Sequence, residues 1–283
     1  MRRSTWIWLL AGLLLLSAAA GLYARQRLTQ ERQIEAKLAL IAPVRHDSRV
    51  NCAELLQRKP LLLLALGQSN AGNHGSPGPA SMEPIAMVSG PDCLFAKDPL
   101  PGATGRGGSI WSRLPAVLSP ALGGRQIVMS VLAVDASPIA DWTRADSPIV
   151  KRLKAQIEAL NDVGLRPDLV LWQQGEADAR LRTEAENYLA GLRRLATLLE
   201  QAGVSAPLML ARSTVCRSEP NREIQNAIDA ALALGPRFVA GPDTDALVGI
   251  DGRFDGCHFN ARGLDRAADA WSDKISAQLS KPR

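Results

Sequence analysis

From residue 60 onward, short apolar runs alternate with longer stretches whose spacing is typical of amphipathic helices. The apolar runs are Leu61–Leu66, Gln126–Val134, Asp168–Trp172, Pro207–Ala211 and Phe238–Ala240, and the helical stretches are Ile149–Val163, Glu184–Ala202, Asn221–Leu234 and Leu264–Leu279. Apolar strands separated by helices pair in parallel and are covered on both faces. The pattern predicts an α/β fold, a three-layer α/β/α sandwich with a central parallel sheet of about five strands.

Charge distribution excludes one class of function. The chain has 283 residues and a formal net charge of +5, and this excess lies within residues 1–50, so that the rest of the chain is neutral. Nucleic-acid binding depends on a broad positive field that releases counterions from phosphates. The neutral body and the lack of a nucleic-acid motif exclude this class.

The N-terminus contains an apolar segment, Thr5–Tyr23, preceded by Arg2 and Arg3. Its length falls in the range of about 17–25 residues that a helix needs to span a bilayer. Small residues at Ala18–Ala20 allow the alternative of a cleaved signal peptide, although the run is long for a signal core. We therefore expect residues 1–24 to be a membrane anchor or signal, 25–59 a helical stalk or linker, and 60–283 the folded domain. Either alternative exports the domain.

The four cysteines are Cys52, Cys93, Cys216 and Cys257, and none forms the closely spaced pair that metal sites use. An even number of cysteines in an exported chain favours two disulfides over zinc. The sequence alone leaves the three pairings open.

Candidate catalytic residues lie in the segments that follow the apolar runs. Acyl transfer by a serine requires a base, a carboxylate that orients the base, and donors for the oxyanion. Ser69 stands at a strand-to-helix junction, where a serine can equally cap the helix. Of the three histidines, His46 precedes the first strand, and His74 follows Ser69 by five residues and is expected at the rim of the site. His258 follows the last strand, and Asp255, three residues earlier, can reach its imidazole.

These segments do not match the nucleophile elbow of α/β-hydrolases, because Ala71 stands where that motif requires glycine. The segment GQSNAGNHG, from Gly67, instead resembles the first block of the SGNH (GDSL-like) hydrolases, in the branch of sialate O-acetylesterases and acetylxylan esterases. Four further segments resemble blocks of that branch: GRGGSIWSRL, ASPIADW, WQQGEAD and DGCHFN. The similarity covers residues 60–279. Three positions depart from the pattern, namely Asp135, Ala136 and Ala177.

The resemblance implies a role for each matching residue. Ser69 would be the nucleophile, His258 the general base and then acid, and Asp255 the orienting carboxylate. The oxyanion hole would consist of the Ser69 N–H, the N–H of Gly108 or Gly107, and the side-chain amide of Gln174. Supporting or substrate-contacting roles fall to Gln68, Asn70, Glu176 and Gly107. Neither a metal nor an organic cofactor is implied.

The resemblance also favours one disulfide pairing. Cys216 and Cys257 would follow neighbouring strands, so a bridge between them would hold the histidine loop, and Cys52 would pair with Cys93.

The implied function is a serine esterase that removes O-acetyl groups from carbohydrate through an acetyl-serine intermediate, located on the periplasmic or extracytoplasmic side, either membrane-anchored or secreted. Three alternatives stay open on the same scaffold: a polysaccharide O-acetyltransferase, a lipid esterase, and a non-catalytic glycan-binding module. The intact serine, histidine and aspartate argue against the binding module, because a binder has no need of all three.

Overall fold

The computed structural model describes residues 20–22, 24–44, 48–57, 59–76 and 83–281. Most of the predicted anchor, residues 1–19 and Tyr23, lies outside the described residues, and so does His46. Among the helices in these ranges, none is both long enough and apolar enough to cross a membrane. The anchor or signal and the division of the chain at residues 24 and 59 therefore stay predictions.

The fold is a single sheet covered by helices. Its strands are β1 (Arg49–Val50), β2 (Leu61–Gly67), β3 (Ile85–Ser89), β4 (Asp92–Ala96), β5 (Ile127–Ala133), β6 (Leu169–Gln173), β7 (Leu208–Arg212) and β8 (Phe238–Asp243). The helices are α1 (residues 24–38), α2 (Cys52–Gln57), α3 (Ile110–Ala121), α4 (Ile139–Thr143), α5 (Pro148–Asp162), α6 (Glu176–Leu181), α7 (Ala185–Gln201), α8 (Arg222–Leu232) and α9 (Ala261–Leu279).

The structure confirms the predicted α/β class, but its sheet has more strands than predicted. The five predicted runs form β2, β5, β6, β7 and β8, which pair in parallel in the order β5-β2-β6-β7-β8. The sheet has eight strands rather than about five, because β3, β4 and β1 extend it beyond β5. β3 is parallel to β5, whereas β4 and β1 are antiparallel to their neighbours. The β3–β4 hairpin contains no helix, so the strand–helix alternation did not reveal it.

The two faces of the sheet bury alternate residues of β2, as the period of two in a strand requires. Leu61, Leu63 and Ala65 pack in one cluster with side chains of α3 and α9. Leu64 and Leu66 pack in the opposite cluster with side chains of α5, α7 and α8. β2 is therefore buried on both faces, and its carboxyl end emerges in the middle of the molecule.

Helix α1 was expected to be a stalk that holds the domain away from the membrane. Its C-terminal half instead packs on the domain, where Ile34 is 3% exposed and lies in the cluster that covers one face of the sheet. The Gln30 side chain donates to the Asp141 carboxylate at 2.7 Å. The Lys37 ammonium donates to the backbone carbonyl of Asp135 at 2.8 Å. Leu28, nearer the N-terminus, is 56% exposed.

Gly67, the last residue of β2, allows β2 and β6 to approach closely at the carboxyl ends of the strands. Its φ of +151° is unfavourable for residues with a side chain, and a Cβ there would lie 2.1 Å from the Gln173 carbonyl oxygen of β6. The Gln68 N–H donates to the same oxygen at 3.3 Å.

We predict that Gly67→Ala destabilises the protein by about 3 kcal/mol or more, because the strand ends must separate. The control is Gly164→Ala, which also has a positive φ, +75°, but meets nothing within 4 Å. It should cost only about 1–2 kcal/mol, the strain of the backbone conformation. Urea unfolding of both variants measures the difference, and equal losses would contradict the proposed close contact.

Candidate active site

The loops after the parallel strands converge at the carboxyl edge of the sheet. Ser69 lies in a 3₁₀ turn, Ser69–Ala71, directly after β2. Glu176 begins α6 directly beyond β6, and Asp255 and His258 lie in the long connection between β8 and α9. Asp135 follows β5 by two residues. The edge therefore collects a serine, a histidine and three carboxylates from four loops.

The loops after β2 and β8 are joined by direct hydrogen bonds. The Asn70 amide nitrogen donates to the Cys257 carbonyl at 3.0 Å, so the residue after Ser69 contacts the residue before His258. On the other side, the Ser76 N–H donates to the Phe259 carbonyl at 3.0 Å. Ser69 itself is 3% exposed. The structure thus brings the predicted serine and histidine segments together.

Asp255 and His258 form a preorganised pair. The His258 Nδ1 lies 2.9 Å from Oδ2 of Asp255, and Oδ1 of Asp255 accepts the N–H groups of Cys257 and His258 at 2.8 and 2.6 Å. Partial burial alone would raise the pKa of Asp255, but these hydrogen bonds outweigh it and lower the pKa to about 2. The ionised carboxylate holds the proton of His258 on Nδ1 and leaves Nε2 as the acceptor.

Arg253 is a structural residue of the site that the sequence interpretation missed. Its guanidinium, in a residue only 2% exposed, donates to the carbonyl oxygens of Thr244, Leu247 and Cys257 and lies 4.5 Å above the Phe259 ring. One buried cation therefore closes the loop that carries Asp255 and His258. The only signal in the sequence is an arginine beside the DGCHFN block.

Both predicted disulfides are present. Cys52 is bonded to Cys93, and Cys216 to Cys257. The second bridge joins the loops after the neighbouring strands β7 and β8, next to His258. The N–H groups of Thr214 and Val215 add to this attachment by donating to the Asp245 carboxylate.

Glu176 lies under the site and braces it, as expected. It is 2% exposed and accepts from the Asn70 amide at 2.7 Å and the Ser213 hydroxyl at 2.8 Å. Burial raises its pKa, although its hydrogen bonds and the charge of Arg253 oppose this. Its second oxygen, Oε2, is buried and has no hydrogen-bond partner among the described residues.

The Gln174 side chain, which was expected to donate to the oxyanion, makes its hydrogen bonds within the interior of the domain. Its side chain is fully buried, and its amide nitrogen is shared by Gln68 Oε1, the Ser137 carbonyl and Asp178 Oδ2 at 2.6–3.2 Å. Its carbonyl oxygen accepts from the Tyr188 hydroxyl at 2.8 Å. All of its donor capacity is committed to a buried network beneath the loops, and the Gln68 side chain belongs to the same network.

The neighbouring Gln173 is also fully buried, at the end of β6. Its side chain contacts Ser213, Thr244 and Trp271, so it is committed to the interior as well.

The N–H groups of the glycine block are also engaged in hydrogen bonds. The Gly107 N–H donates to the Asn73 carbonyl at 2.7 Å, and the Gly108 N–H donates to the Gly75 carbonyl at 2.9 Å. Neither is free to bind an oxyanion. Within the described chain, the N–H groups of Ser69 and Gly105 donate no hydrogen bond. Gly105 has a φ of +94°, and a Cβ there would lie 2.3 Å from the Asn73 carbonyl oxygen, so the position accepts only glycine.

Two rings flank His258. The His74 ring stacks on it, with the two ring centroids 5.5 Å apart. The centroid of the half-exposed Phe254 ring lies 6.1 Å from that of His258. His74 Nε2 is 3.1 Å from the Thr104 hydroxyl. Burial lowers the pKa of His74, Asp135 partly opposes this, and His258 adds to it. His74 therefore lies beside His258 at the rim of the candidate site.

Comparison with known families assigns the protein to an enzyme class. The sequence model of the family described as "Carbohydrate esterase, sialic acid-specific acetylesterase" matches residues 116–275, more than half of the chain. The protein belongs to this esterase family. The matched region includes Asp255 and His258 and begins after Ser69. The resemblance to the carbohydrate-esterase branch of the SGNH hydrolases is thereby confirmed.

Solved structures share the fold of the esterase. An Arabidopsis thaliana protein is similar with a TM-score of 0.64 at 19% identity, covering 78% of this chain and 99% of that one. NanS has a TM-score of 0.52 at 14% identity, covering 77% and 96%. A Clostridium thermocellum family 3 carbohydrate esterase has a TM-score of 0.50 at 15% identity, covering 78% and 100%. A search of curated proteins finds no sequence that matches the chain.

The family membership makes the protein a carboxylic ester hydrolase of the carbohydrate-esterase class. Its two disulfides indicate an oxidising, extracytoplasmic environment.

The pKa of Asp255 predicts a pH-dependent contribution to the stability of the esterase. Because the pKa is about 2 in the folded chain and about 3.9 when unfolded, the ionised carboxylate stabilises the fold above about pH 4, and this is lost as the pH falls towards 2. Asp255→Asn should therefore lower the free energy of unfolding by roughly 1–2 kcal/mol at pH 5 and by much less near pH 2.

Urea unfolding between pH 2 and 6 measures this difference. Asp251→Asn is the control, because the Asp251 side chain is 70% exposed and pairs only with Arg262 in the described chain, so it should stay within about 0.5 kcal/mol of wild type. A difference in unfolding free energy between Asp255→Asn and wild type that is as large at pH 2 as at pH 5 would contradict the lowered pKa of Asp255.

Proposed function

We propose that this esterase removes O-acetyl groups from carbohydrate hydroxyls by a Ser-His-Asp mechanism, with Ser69 as nucleophile, His258 as general base and Asp255 as its orienting carboxylate. The observation that carries the proposal is the Asp255–His258 pair, with Nδ1 2.9 Å from the carboxylate, on a loop hydrogen-bonded to the residue that follows Ser69. Membership of an acetylesterase family supports a small acyl group and a sugar acceptor.

In the acylation step, His258 Nε2 accepts the hydroxyl proton of Ser69 while Oγ attacks the acetyl carbonyl carbon. The tetrahedral intermediate then collapses, and His258 returns the proton to the sugar oxygen as the ester bond breaks. Asp255 stabilises the imidazolium that exists between these two proton transfers, and its low pKa keeps it ionised throughout.

In the deacylation step, His258 takes a proton from water, and the resulting hydroxide attacks the acetyl-Ser69 carbonyl. Collapse of the second intermediate releases acetate, and the proton returns from His258 to Ser69 Oγ. The two steps use only groups of this chain and water.

For the oxyanion hole, we propose the N–H groups of Ser69 and Gly105. Both are without an acceptor in the described chain, whereas the N–H groups of Gly107 and Gly108 are bonded to carbonyl oxygens. A glycine suits the second position because the acyl group must approach the backbone closely. Gly107 and Gly108 then serve to hold the loop in position.

We further propose that residues 60–283 carry the catalytic site and that residues 1–24 export the chain, either as a membrane anchor or as a cleaved signal. The two disulfides support an exported location.

Ser69→Ala and His258→Ala should each reduce hydrolysis of 4-nitrophenyl acetate by about 10³-fold or more while leaving thermal unfolding nearly unchanged. Asp255→Asn should lose as much or somewhat less, because the base remains but its tautomer is no longer fixed. Asp251→Asn is the matched control and should retain full activity. Activity of either alanine variant within a few-fold of wild type would show that the triad is wrongly assigned.

The acceptor is tested by acetate release. The full-length chain in detergent is offered O-acetylated sialic acid, acetylated xylo-oligosaccharides and an acylated lipid, with Ser69→Ala as the blank. We expect release from one of the two sugar substrates at a kcat/KM at least tenfold above that for the lipid. Preference for the lipid would replace the proposed carbohydrate acceptor.

A further inference from the structure

His74, Asp135 and His258 bring three potential metal ligands together at the candidate active site. One nitrogen from each ring and one carboxylate oxygen lie within 4.8 Å of one another. All three residues are partly exposed, so an ion can reach them from solvent. They come from the loops after β2, β5 and β8, which the fold holds together independently of any ion.

The donor set is suited to a transition metal. Two neutral imidazoles and one carboxylate are the ligands of tetrahedral Zn²⁺ sites that keep a fourth position open. Ideal Zn²⁺ bonds put neighbouring ligand atoms about 3.3–3.5 Å apart, so side-chain rotations would close the remaining gap. Ca²⁺ and Mg²⁺ prefer oxygen ligands and should bind poorly here.

Both histidines also have polar partners that orient their rings. Asp255 holds His258 through Nδ1 at 2.9 Å, which leaves Nε2 for an ion. The Thr104 hydroxyl lies 3.1 Å from His74 Nε2. Carboxylate or hydroxyl partners of this kind fix the ring orientation of metal-bound histidines.

We propose that His74, Asp135 and His258 bind one Zn²⁺ ion and that this ion reversibly inhibits the esterase. The inhibition rests on the proposed role of His258: an ion on Nε2 occupies the lone pair that must accept the Ser69 proton. Binding itself depends only on the three ligands. All four cysteines are in disulfides, so no thiol of the chain competes for the ion.

Binding is tested separately from activity by titrating ZnCl₂ into the full-length Ser69→Ala variant in a calorimeter. We expect one saturable site with a micromolar dissociation constant and no comparable heat with MgCl₂. His74→Gln and Asp135→Asn, each combined with Ser69→Ala, should weaken binding at least tenfold. Asp251→Asn, also combined with Ser69→Ala, is the control for a carboxylate outside the cluster, because its side chain is 70% exposed and pairs with Arg262, and it should bind as the parent does.

Inhibition is tested on proteins that keep Ser69. ZnCl₂ should inhibit wild type over the same concentration range as it binds, EDTA should restore activity, and His74→Gln should require at least ten times more zinc for the same inhibition. Absence of saturable binding, or equal binding by His74→Gln and Asp135→Asn, would overturn the site. Binding without inhibition would overturn the inhibitory role.

These outcomes are distinguishable from failure of the proposed function. If the triad variants are inactive but zinc does not bind, only the metal site is wrong. If Ser69→Ala stays active, the triad is wrong whether or not zinc binds.

Discussion

The site depends on one amide nitrogen, Nδ2 of Asn70. It donates to the buried Glu176 carboxylate after β6 and to the Cys257 carbonyl beside His258, so it joins the loops that follow three strands. This connection is needed because β8 is three positions away from β2 in the sheet. In a buried setting such hydrogen bonds are strong, and losing one leaves polar groups unpaired at a cost of about 1–3 kcal/mol.

The histidine loop is held rigidly from several sides. Arg253 binds three carbonyl oxygens within it, and the Cys216–Cys257 disulfide attaches it to the loop after β7. Asp255 accepts hydrogen bonds from two N–H groups of its own loop, and these hold the carboxylate that orients His258. An ester hydrolase benefits from this preorganisation, because the base and its carboxylate need not rearrange when charge develops.

The features that suit His258 to act as a base also suit it to bind a metal. The carboxylate on Nδ1 selects one tautomer, in which the opposite nitrogen, Nε2, carries the lone pair that can accept a proton or bind an ion. His74 and Asp135 add two more ligands within 4.8 Å. The proposed zinc inhibition is therefore a consequence of catalytic geometry combined with one neighbouring ring, and it gives His74 a role beyond lining the rim.

The sequence by itself determined the alternation that makes five parallel strands, the segments that carry Ser69, Asp255 and His258, and both disulfides through resemblance to a family. These features are local: each depends on a short run of residues and its order along the chain. Strands β3 and β4 were not predicted, because they form a hairpin with no helix between them and so do not follow the alternation of strands and helices.

Only the tertiary structure decided which polar groups are available for chemistry. Gln174, Gly107 and Gly108 stand in the right blocks, but their donors are already used by carbonyl, carboxylate and amide oxygens that come from elsewhere in the chain. Whether an N–H is free depends on every neighbour within about 3 Å, and distant segments supply those neighbours. For the same reason, the Gly105 N–H, which has no acceptor among the described residues, and the buried Arg253 could be recognised only in the folded chain.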